Sequence, residues 1–123
     1  MDANPRLLAK LDELEQQFAE LDSQLADPAA MSDHERARDL SIKRAALEPT
    51  VEQYRRWKRA QAQIAEHRQI IAEQADAELV ELARAELPEL EQTSEALLEQ
   101  VTSELVTADD RAVGSVILEV RAG

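Results

Sequence analysis

The chain has 123 residues, a net charge of -12 and 33% charged side chains, with two Gly and one each of Phe, Tyr and Trp. So few aromatics and glycines argue against a β-sandwich or barrel, and the acidity argues against a general nucleic-acid binder, DNA included. The absence of cysteine excludes disulfides and thiolate metal sites and fits a reducing, cytoplasmic setting.

Abundant Ala, Leu, Glu, Gln and Arg is the composition of long helices. Asn4-Pro5 is a good helix start, because Asn caps free amides and Pro suits the first helical position. Leu7, Leu11, Leu14, Phe18, Leu21 and Leu25 follow at alternating spacings of 4 and 3, an a/d seam. Asp27-Pro28 closes it.

Ser32 with Glu35 three residues on predicts a capping box for a second helix. Its seam runs Leu40, Leu47, Val51, Tyr54, Trp57, Ile64 and Ile71, and Pro49 is expected to kink or split it. A Gly-free turn falls near 73–76, and Asp76 caps a third helix. That seam runs Leu79, Ala83, Leu87, Leu90, Ser94, Leu97 and Val101, flanked by Leu105, with Pro88 as a second expected kink. The short turn implies antiparallel neighbours. From Ala108 to Ser115 the pattern reads as a loop. Val116–Val120, with three β-branched residues in five, reads as a strand. A lone strand suggests that the sequence stops just inside a second domain.

The resulting fold class is all-α: three long helices in an antiparallel, coiled-coil-like hairpin or bundle over residues 1–107, expected to be monomeric. Residues 108–123 form an interdomain loop and the first strand of a second domain. The Met1–Pro5 start lacks the basic and apolar regions of a signal peptide. The longest run of large aliphatics, Val116–Leu118, is far short of a membrane span.

Chemistry is sparse. His34 and His67 sit among charged neighbours, lack the Glu-x-x-His spacing of di-iron bundles, and read as solvated histidines. Glu91, Glu95 and Glu99 share one helix face, which reads as opposed to the basic second helix or solvated rather than as a metal site. No Gly-rich phosphate loop or nucleophile–base pair is present. No catalytic residue, cofactor or metal is therefore assigned. Residues 34–68 hold nine basic and five acidic side chains, a local excess of four positive charges. Within them Tyr54, Arg55, Arg56, Trp57, Lys58 and Arg59 form the candidate RNA or partner contact. The competing reading buries Tyr54 and Trp57 in the seam and pairs the cations with acidic neighbours, and it is preferred.

The C-terminal stretch Ser115-Val116-Ile117-Leu118-Glu119-Val120-Arg121-Ala122-Gly123 resembles the entry to the second domain of bacterial-type class I peptide chain release factors. The Arg-Ala-Gly ending is similar to the factor that reads UAA and UAG, where the UGA-reading paralogue has His-Pro-Gly. Asp33-His34-Glu35-Arg36, Leu47-Glu48-Pro49-Thr50-Val51, Tyr54-Arg55, Asp76-Ala77-Glu78-Leu79 and Glu86-Leu87-Pro88-Glu89-Leu90-Glu91 also resemble that family in order and spacing. Val106-Thr107-Ala108-Asp109-Asp110 departs from its Leu-Pro-Lys-Asp-Pro tract. The resemblance implies a ribosome-binding factor that triggers peptidyl-tRNA hydrolysis through a Gly-Gly-Gln loop, which this chain lacks. It also implies that the helical first domain is a positioning arm meeting the stalk base of the large ribosomal subunit. The rival readings are a generic structural coiled coil and the UGA-reading paralogue.

Overall fold

A computed structural model describes the backbone of residues 4–122 and the side chains of residues 4–106. Four helices follow in order: α1 (Pro5–Ala26), α2 (Pro28–Met31), α3 (His34–Glu73) and α4 (Ala77–Ala122). They divide between two compact units, one made of residues 53–103, the other of the chain up to Glu52 together with Glu104 onward.

Local signals set most helix ends. The Asn4 side chain accepts from the Arg6 amide at 2.9 Å, and Pro5 follows as the first helical residue. Asp27 ends α1 and its carboxylate accepts from the Ala29 amide at 3.1 Å, so one residue stops α1 and starts the single turn of α2. The cap of α3 is Asp33, not Ser32: Asp33 Oδ1 accepts from the Arg36 amide at 3.2 Å. The Ser32 hydroxyl instead donates back to the Ala29 carbonyl at 2.8 Å, which finishes α2. A carboxylate at the positive end of a helix is favoured over a neutral hydroxyl. Asp76 caps α4 as expected, accepting from the Glu78 amide at 2.9 Å.

Neither proline splits its helix. Pro49 lies inside α3 and Pro88 inside α4. Each lacks an amide hydrogen and crowds the carbonyl four residues back, at a cost of ~3 kcal/mol. Leu40 is buried before Pro49, and Thr50 and Val51 are buried directly after it.

In the unit of residues 53–103, α3 and α4 run antiparallel. Gln61 meets Ser94 at 3.0 Å and His67 meets Glu86 at 2.7 Å, so partners on α4 fall in number as those on α3 rise. Its buried side chains are Tyr54, Trp57, Ala60, Ile64, Val80, Ala83, Ser94, Leu98 and Val101. The reversal uses residues 74–76, and Gln74 takes the left-handed conformation at φ 51°. Its amide donates to the Ile70 carbonyl at 3.2 Å, which closes α3. A Cβ in that conformation costs ~1–2 kcal/mol that Gly avoids. Gln74→Gly should therefore raise stability by roughly 0.5–1 kcal/mol in a urea titration. A loss of stability would show that the Gln74 side chain holds the turn.

The other unit buries Leu11, Phe18, Ala30, Leu40, Thr50, Val51 and Leu105. The chain reverses over residues 27–33, so that Arg44 of α3 reaches Asp22 of α1. The whole α1 seam is buried or half-buried, as the heptad spacing requires.

Two expectations are corrected. The α4 seam begins on Val80, 8% exposed, whereas Leu79 is 49% exposed and Leu82 54%. Leu79-Val80 and Leu82-Ala83 offer two apolar stripes, and the buried stripe is the one in phase with Leu87 and Leu90. Helical backbone runs through Ala122 where a loop over 108–115 and a strand over 116–120 were expected. A lone strand leaves its amides and carbonyls without a ladder partner, whereas a helix satisfies them within the segment.

Candidate functional site

The six-residue segment Tyr54–Arg59 lies on α3 in the unit of residues 53–103. Tyr54 and Trp57, three apart on the helix, share its inward face at 3% and 8% exposure. Their rings stack at 6.0 Å between centroids and 15° between planes. The Lys58 ammonium sits 4.7 Å from the centre of the Tyr54 ring, in the range of a cation–π contact. Burial takes both aromatic rings out of reach of a nucleobase. Arg55 is half-buried, whereas Arg56 and Arg59 are exposed. Positions three and four apart are neighbours on a helix surface, so Arg55, Arg56 and Arg59 gather their charge on one side of α3.

The burial carries an energetic debt. Gln53 Oε1 and Trp57 Nε1, one helical turn apart, are buried without a hydrogen-bond partner among the described residues. An unpaired buried polar group costs ~1–3 kcal/mol. The ring area removed from water and the stack with Tyr54 offset it.

Cations of α3 elsewhere meet acids of α1 and α4. Arg44 is the densest of these points. Its guanidinium pairs with Asp22 through Nε, lies 3.1 Å from Glu48, and stands 4.6 Å over the Phe18 ring. The Asp22 hydrogen bond is the main cause that raises the Arg44 pKa, with Glu48 adding to it, so the group stays charged. Arg68 reaches Glu91 at 3.3 Å, which places the first carboxylate of the Glu91, Glu95, Glu99 row opposite the basic helix. Such exposed pairs contribute ~0–1 kcal/mol each and select orientation more than they supply stability.

His34 is exposed. His67 is not the solvated histidine expected: its side chain is 17% exposed and its ring bonds to both helices. The signal for this is its place beside the seam, between Ile64 and Ile71. Among the described residues no His, Asp and Glu side chains gather in a group that could hold a metal ion. No described helix is long and apolar enough to cross a membrane. A groove of about 410 Å³ between α1 and α3, lined by Leu21, Ala46 and Leu47 with Glu20 and Lys43, opens to solvent.

Residues 14–123 match the PCRF domain family. The chain belongs to that family. Peptide chain release factor 1 of Anaeromyxobacter sp. (strain Fw109-5) is 38% identical over 117 residues, 95% of this chain and 31% of that protein. The protein of the same name from Desulforudis audaxviator (strain MP104C) is 37% identical over 117 residues, 95% of this chain and 33% of its own length. That of Listeria welshimeri is 38% identical over 112 residues, or 91% and 31%. The chain thus spans about a third of the length of the curated relatives it matches. No solved structure matches it. In this PCRF domain the matched region takes in most of α1 and all of α2 to α4, so both compact units belong to the family's common part.

Proposed function

We propose that this chain is the N-terminal helical part of a translation termination factor that directs release of the nascent peptide at UAA and UAG codons. The observation that carries the reading is the similarity to peptide chain release factor 1 over 91–95% of the chain. The Arg121-Ala122-Gly123 ending supports the UAA/UAG assignment over the UGA-reading paralogue.

In this reading residues 1–107 are a docking arm and residues 108–123 lead into the next domain of the longer protein. The arm works in the cytoplasm, as part of a monomeric factor, against the stalk base of the large ribosomal subunit. Arg55, Arg56, Lys58 and Arg59 supply positive charge for that contact. No residue of the arm performs chemistry. Peptidyl-tRNA hydrolysis belongs to a Gly-Gly-Gln loop elsewhere in the longer protein. A remote arm of this kind contributes through binding energy gained at a distance, which holds distant groups in register.

The test is peptide release from ribosomes programmed with a UAA codon, titrated with the longer protein with and without residues 1–105. Deletion should raise the half-saturating concentration at least about tenfold, equivalent to ~1.4 kcal/mol of binding, while the maximal rate largely survives. A deletion that leaves half-saturation unchanged and abolishes the maximal rate would overturn the docking arm.

A further inference from the structure

We propose that His67 and Glu86 form a proton-operated clasp that fastens α3 to α4 within the hairpin of residues 53–103. Both nitrogens of the His67 ring face hydrogen-bond acceptors. His67 Nδ1 lies 2.8 Å from the Gln63 carbonyl oxygen, and His67 Nε2 lies 2.7 Å from Glu86 Oε2. A carbonyl oxygen only accepts, and so does an ionised carboxylate. A neutral imidazole has one N–H and one bare lone pair, so it can satisfy one of these contacts and must point a lone pair at the other acceptor. The imidazolium satisfies both: Nδ1–H donates to Gln63 and Nε2–H donates to Glu86. Two acceptors flank the ring, an arrangement that only the protonated ring satisfies in full, and its bond to Glu86 is then charge-assisted.

The surrounding charges favour the same state. From α4 the ring faces Glu86. On its own helix Glu66 adds a second negative charge. Arg68, the adjacent cation, is engaged with Glu91 of α4 at 3.3 Å. The Glu86 hydrogen bond first, then the Gln63 carbonyl, move the His67 pKa upward from 6.5, against a smaller opposing effect of burial.

The sign follows by linkage. A histidine whose pKa is raised in the folded state binds its proton more tightly there than in the unfolded chain. Its contribution is fully present below the unfolded value, ~6.5, and disappears as pH rises through the folded value. Loss of the proton leaves one ring nitrogen with a bare lone pair facing an acceptor, either the Gln63 carbonyl or the Glu86 carboxylate, so one of the two contacts is lost and the bond to Glu86 is no longer charge-assisted. The hairpin is thus fastened on the acid side of neutrality and loosened on the alkaline side. Histidine is the side chain whose ordinary pKa lies in this range.

The experiment uses the 123-residue chain. The ring-proton resonances of its two histidines are followed by NMR across pH, with His67→Gln assigning the His67 signal. The expected result is a His67 midpoint above ~6.5 that falls in Glu86→Gln. Thermal melts supply the second readout. His67→Gln should melt lower than the parent chain near pH ~6, and the difference should vanish by pH ~9. A His67 midpoint at or below the ordinary value would overturn the clasp, as would a raised midpoint that Glu86→Gln leaves unmoved. A melting difference independent of pH would assign His67 a packing role in its place.

Discussion

Leu11→Ala should lower the thermal midpoint of the chain by roughly 10 °C. Leu11 is 1% exposed. Removing three carbons from a closed site forfeits their transfer free energy and leaves a cavity, together ~2–5 kcal/mol. In a domain of this size each kcal/mol moves the midpoint by several degrees, ~4 °C by size scaling. Leu14→Ala, one step along the same seam, should cost less, because Leu14 is only half-buried. Glu95→Gln on the exposed face of α4 should stay within about 0.5 kcal/mol. Melts followed by circular dichroism order the three variants. Similar losses for Leu11→Ala and Glu95→Gln would show that the leucine seam does not hold the fold.

The same contrast explains what the sequence made legible. The seam of α1 could be read directly because its apolar residues occupy one stripe and almost nothing competes with them. In α4 the reading slipped by one residue at its start. Leu79, Val80, Leu82 and Ala83 present two stripes of similar hydrophobicity, and only tertiary packing selects between them. At the head of α3 two adjacent cap residues, Ser32 and Asp33, compete, and the choice depends on where the single turn of α2 ends. That turn is too short to leave a periodic signal. The strand expected at 116–120 rested on β-branching alone, a weak preference when no second strand is present to pair with it.

The candidate surface was legible in composition and in part of its geometry. Sequence alone marks Tyr54–Arg59 as a cluster of cations and aromatics, and the three-residue spacing of Tyr54 and Trp57 favours their burial in the seam over a nucleobase contact. The structure bears out the burial, with Tyr54 3% and Trp57 8% exposed, while Arg56 and Arg59 stay at the surface and Arg55 and Lys58 are half-buried. The His67 contact, in contrast, was hidden. Its partner Glu86 is 19 residues away, and only the antiparallel register brings the two together. Hydrophobic periodicity predicts which face of a helix is buried, but says little about which polar residues meet across the seam.

Charge reversal at Arg56 and Arg59 in the longer protein tests the proposal that this helical domain docks on the ribosome through α3. Both are exposed on α3, so reversing them should leave the fold close to intact, with a stability change within about 0.5 kcal/mol. If the two guanidiniums lie against ribosomal RNA, each neutralises a phosphate and releases condensed counterions. Arg56→Glu with Arg59→Glu should then raise the half-saturating concentration in the release assay on the order of tenfold or more. The slope of log affinity against log salt should become shallower by about 1–2, the share of two lost phosphate contacts. The maximal rate of release should hold if, as proposed, the helical domain contributes binding and not chemistry. The alternative has a different signature. If these cations act only within the helices, the melting temperature falls slightly while half-saturation and its salt slope stay where they were. A titration of the variant and the parent at three salt concentrations separates the two cases. An unchanged salt slope would remove RNA from the account of this face of α3.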